Sequence, residues 1–60
     1  MSYVIKRTDQ GGGFLAKPGS EQTYSKFLQD ARLFPTFAAA QAEACVGNEI
    51  VLSLEDAAGR

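Results

Sequence analysis

A single cysteine, Cys45, and no histidine leave this 60-residue chain without the staples on which so small a fold usually depends. One thiol cannot close an intramolecular disulfide, and one thiol without histidine cannot build a zinc site of the Cys/His type. A domain of this length buries only about 60% of the surface that its unfolded chain exposes. The expectation is one domain over residues 1–60, with no cofactor, held by its apolar core and by a partner chain. A hydrophobic content of 45%, with four Phe and two Tyr, suffices for such a core.

The lone thiol fits a reducing cytosol. No apolar run approaches the length of a membrane span, and the opening Met1-Ser2-Tyr3-Val4-Ile5-Lys6 lacks the basic start and apolar middle of a secretory signal. The expected location is therefore cytoplasmic. The net charge of −1 removes the electrostatic footprint of a general nucleic-acid binder. Charge is unevenly spread: Lys6, Arg7, Lys17, Lys26 and Arg32 outnumber Asp9, Glu21 and Asp30, whereas Glu43, Glu49, Glu55 and Asp56 face only Arg60. That split could favour self-association or a charged partner, but a solvated coat does the same with no function attached and is the plainer reading.

Local pattern begins with a hairpin. Tyr3 to Thr8 is β-branched and aromatic, Phe14 to Lys17 resumes an apolar run that stops at Pro18, and Asp9-Gln10-Gly11-Gly12-Gly13 between them is turn chemistry. A phosphate cradle would need a helix start after the glycines or a Gly-Lys-Ser/Thr ending, and neither is present. Successive backbone N–H groups leave an anion nest as the other reading. Tyr24, Phe27, Leu28 and Ala31 have helical spacing, yet Ala31 to Phe34 alternates like a strand and halts at Pro35. An irregular segment over 24–29 leading to a third strand at 31–34 is expected, with a short helix over 24–29 still open.

Thr36 is a candidate N-cap for a helix starting at Phe37, with Phe37, Ala40, Ala44 and Cys45 on its inner face and Gly47 as its C-terminal cap. Glu49 to Glu55 reads as the last strand, with Ile50, Leu52 and Leu54 facing inward, and 56–60 as a frayed tail. The fold class is α+β: a small antiparallel sheet with one helix on one face, in the order β-β-β-α-β. One helix leaves the far face of such a sheet open. Tyr3, Val4 and Val51 are the candidate partner interface there, and a symmetric homodimer through that face or a strand edge is the expected assembly.

Catalysis finds little support in the residues. Cys45 has no histidine to act as its base and sits on an apolar helical face, where a cysteine behaves as a small hydrophobe. Glu55 and Asp56 are adjacent, so on a strand they would point to opposite faces and could not flank a bond. The chain reads as a non-enzyme.

The segment Tyr24 to Ala44, with its Ala31-Arg32-Leu33-Phe34-Pro35-Thr36 core and alanine-bearing helix, resembles a segment of very small phage and prophage open reading frames. The resemblance implies a phage or prophage accessory protein in the host-cell cytoplasm, acting by binding a host or phage protein. Leu33-Phe34-Pro35-Thr36 is also similar to an element of the arm-type DNA-binding domains of tyrosine recombinases, a three-stranded sheet followed by a helix. That likeness implies nucleic-acid contacts by Lys6, Arg7, Lys17, Lys26 and Arg32. Most of the basic strand residues of that family are missing here, and phosphate neutralisation depends on them.

Overall fold

Tyr3-Val4-Ile5 supplies β-branched and aromatic side chains to both sides of a pleat, and the strand it begins is central to the molecule. The computed structural model describes residues 2–9, 12–44 and 47–59. Strands β1 (Tyr3–Arg7), β2 (Phe14–Leu15), β3 (Tyr24–Ser25) and β4 (Glu49–Ser53) form one antiparallel sheet in the order β3-β2-β1-β4. Helix α1 (Phe37–Glu43) lies between β3 and β4 in the chain, and a short helix α2 (Leu54–Ala57) follows β4. The α+β class and the order β-β-β-α-β are as the sequence predicts, with α2 added.

Turn chemistry joins β1 to β2 as expected. Gly12 and Gly13 take φ of +80° and +116°, and the Gly12 N–H donates to the Asp9 carbonyl at 3.0 Å. Only glycine adopts such angles without strain. Gly11 falls outside the described residues.

The third strand is not where the alternation of residues 31–34 placed it. Tyr24 and Ser25 pair with Leu15 and Phe14, and a single 3₁₀ turn, Leu28–Asp30, follows, so the open segment 24–29 is extended first and then tightly wound. Ala31 and Phe34 instead make isolated bridges, to Ala16 and Tyr3 respectively. β1 and β2 pair at Lys6 and Phe14, and the 31–34 segment then bonds to Leu15 on one side and Tyr3 on the other. It fills a fork between two strands and so cannot ladder along either.

Thr36 caps α1, its hydroxyl accepting from the Ala39 N–H at 3.1 Å. The helix ends at Glu43 with Ala44 as C-cap, and Gly47 uses its φ of +108° in the turn into β4 rather than as the cap. Ala40 is buried against Ile5 and Phe34, with Tyr3, Leu15, Ala44 and Val51 around them. Phe37, expected inside, is half exposed and meets Tyr3 edge-on at 6.0 Å between centroids. The expected inward place of Cys45 lies outside the described residues.

Register decides which face of β4 is inner. Ile5 opposes Val51, while Val4 opposes Leu52 and Lys6 opposes Ile50. Directly opposed residues share a face. Val51 therefore joins the α1 core, and Ile50, expected to face inward, is 45% exposed. Leu54, read as the strand's last inward residue, opens α2, which is capped by the Ser53 hydroxyl and lies against β1 and β4.

The far face is not open at β1. Val4 and Ile5 are adjacent, point to opposite faces, and are both 0% exposed. Ala16 and Ala31, bridged to one another, are also buried and lie outside the α1 cluster. The full burial of Val4 removes it from the candidate partner interface, and Tyr3 and Val51 are half-buried against the α1 core.

Candidate protein-binding surface

The segment after β3 holds an aromatic side chain outward on a hydrogen-bonded support. Ser25 is buried, its hydroxyl donates to the Asp30 carboxylate at 3.2 Å, and it accepts from the Phe27 N–H at 3.1 Å. The Phe27 carbonyl in turn accepts from the Asp30 N–H at 3.0 Å, which closes the turn. Phe27 is 64% exposed, the most exposed large hydrophobic side chain among the described residues. It stands at the rim of an open cleft of about 580 Å³ whose wall includes Gly12, Gly13, Gln22, Tyr24 and Lys26. Sequence spacing had grouped Phe27 with Tyr24, Leu28 and Ala31 on one helical face. The usable signal was Ser25, since a serine can accept from the N–H two residues on and compete with helix formation.

Beside the cleft, charges are engaged with neighbours. Arg7 Nε lies 2.9 Å from Asp9 Oδ1, and its guanidinium stacks 4.5 Å from the Tyr24 ring centroid. The Tyr24 hydroxyl donates to the Glu49 carboxylate. Arg32 lies over the Phe34 ring at 4.7 Å. Of the five residues of the nucleic-acid reading, two guanidinium groups are thus stacked on aromatic rings. Lys6 and Arg7 point to opposite faces of β1. Lys17 and Lys26 are exposed, one in the turn after β2 and one after β3. The five do not form one stripe.

Glu55 and Asp56 lie in the first turn of α2, where carboxylates complement the helix dipole, and not on a strand. Among the described residues no group of three or more His, Cys, Asp or Glu is placed to hold a metal ion, and no helix is long and apolar enough to cross a membrane. No family model, curated protein or solved structure matches the chain.

Proposed function

We propose that the chain is a small, non-catalytic protein-binding module, an accessory protein of a phage or prophage that acts on a host or phage protein. The genomic class rests on the sequence resemblance of Tyr24 to Ala44. The binding role rests on one observation, the exposed Phe27 held on the Ser25–Asp30 hydrogen bonds. Single apolar residues at a surface are ordinary, but an aromatic residue whose backbone is already held at a cleft has less backbone freedom to lose on binding, and aromatic side chains are frequent anchors. A partner offering an apolar side chain to the ring fits this site.

Phe27→Ser tests the reading, because the side chain is too exposed for its loss to threaten the fold. The folded variant and the wild type are immobilised and challenged with host lysate under quantitative mass spectrometry. The expected result is a protein retained in stoichiometric amount by the wild type and lost with the variant. Identical retention by both forms removes Phe27 as the anchor.

A further inference from the structure

The two edges of the sheet are treated differently. β3 has two residues, is followed by Lys26, and is too short to template another strand. β4 has five, Glu49-Ile50-Val51-Leu52-Ser53, with no lysine, proline or glycine among them. Natural edges are usually blunted by brevity, charged side chains (lysine above all), proline or a bulge; the one charge on β4 is Glu49 at its first position, and its carboxylate is taken up by the Tyr24 hydroxyl.

Its backbone is aimed accordingly. The Thr8 N–H donates to the Asn48 carbonyl at 2.8 Å and the Leu54 N–H to the Ser2 carbonyl at 2.9 Å. In an antiparallel ladder this makes 48, 50, 52 and 54 the positions whose backbone groups face β1, and turns those of Val51 and Ser53 to the outer side. No strand of the described residues lies beyond β4.

We propose that β4 pairs antiparallel with β4 of a second copy, about a two-fold axis at Val51, to make a continuous eight-stranded sheet. This register engages all five residues of the strand, whereas an axis at Ile50 or Leu52 engages fewer. Val51 then meets Val51 in a hydrogen-bonded pair, Ile50 meets Leu52 of the second copy, and Glu49 meets Ser53 of the second copy. The strand reads polar, aliphatic, aliphatic, aliphatic, polar from either end, so it complements itself. Its one acidic residue faces a hydroxyl and not its own counterpart, and the exposed Ile50 gains an aliphatic neighbour. A two-fold contact satisfies both copies with one patch. This surface is separate from Phe27, so either can fail without the other.

Sedimentation equilibrium of the 60-residue chain across a hundredfold concentration range, with amide hydrogen exchange read by NMR at both ends of it, tests the pairing. The expected result is a rise from 6.4 kDa to twice that mass, with exchange at the Val51 and Ser53 amides slowing as the dimer forms. Ile50→Glu keeps a cross-strand partner in Lys6 but sets two carboxylates into the contact, and should raise the dissociation constant roughly tenfold or more. A single species of 6.4 kDa at every concentration overturns the proposal. So does a dimer in which Val51 exchange is independent of concentration, since the contact then lies elsewhere; this readout needs only the wild type and decides even if the variant does not fold.

Discussion

Tyr24 and Glu49 stand on the two outermost strands of the sheet, and the tyrosine hydroxyl nevertheless donates to the glutamate carboxylate. β2 and β1 lie between them. In a flat sheet the outer strands would be about 14 Å apart, three inter-strand spacings, so side chains meet across that span only because the sheet curls. Arg7 lies within the curl, its guanidinium against the Tyr24 ring. Tyr24→Phe keeps the ring and its stacking but removes the hydroxyl from a buried carboxylate. A loss of about 1.5–3 kcal/mol is expected in urea unfolding, the usual range for a hydrogen bond to a charged group. Unchanged stability would show that the latch contributes nothing net.

Ala40 sets how closely α1 lies on the sheet. It is fully buried against Ile5 and Phe34, leaving no room for a longer side chain. Ala40→Leu should destabilise by about 1–3 kcal/mol through overpacking, and Ile5→Ala by about 2–5 kcal/mol through the cavity it leaves. Thermal unfolding followed by circular dichroism checks both, and a more stable Ala40→Leu protein would mean that the helix stands further off than described.

Gly12 separates conformational cost from space. A Cβ there would meet only the flexible Lys6 Cε at 3.5 Å and the Arg7 carbonyl oxygen at 3.7 Å, so any penalty comes from the φ of +80°. Gly12→Ala should cost about 1–2 kcal/mol, and Gly12→Asn less, because asparagine tolerates the left-handed region. Equal losses in denaturant midpoint for the two variants would point to a contact instead of the backbone. Titration with sulfate distinguishes the nest reading: for a simple turn the Gly12 and Gly13 amide signals should stay in place.

Nucleic-acid binding is open to a direct measurement. With Lys6 and Arg7 on opposite faces and Arg7 and Arg32 stacked on rings, few cations can meet phosphates together. A gel shift with mixed DNA and RNA at low salt, where electrostatic binding is strongest, is expected to show no retarded band. A band that fades with salt and is lost on Lys17→Ala and Lys26→Ala would reverse that expectation.

Elements set by local chemistry were legible in the sequence. β1, the glycine turn, the Thr36 cap and β4 each follow from a few neighbouring residues. The face of β4 was misread, because alternation sets Ile50, Leu52 and Leu54 against Glu49, Val51, Ser53 and Glu55 and so favours the first set as inner; the pairing of Val51 with Ile5, 46 residues away in the chain, puts Val51 in the α1 core instead. Residues 31–34 do alternate, but their partners diverge, and divergence is a property of β1 and β2. Phe27 was hidden for a related reason: helical spacing was present, but the backbone at Phe27 is extended and its N–H donates to the Ser25 hydroxyl.

The pairing of Tyr3 with Ser53 also bears on when the protein can fold. β1 is made first, yet one of its two neighbours in the sheet is β4, and closing so long a loop is entropically costly and slow compared with forming a local hairpin. During synthesis, the hairpin of β1 and β2 emerges with one side of Val4 and Ile5 still lacking its strand. Until Ser53 has been added, the nascent chain holds an incomplete sheet whose central strand is open to any other strand it meets. Folding of this domain is thereby an event that follows translation of its last strand, and crowded polysomes are where it is most exposed to pairing with the wrong copy.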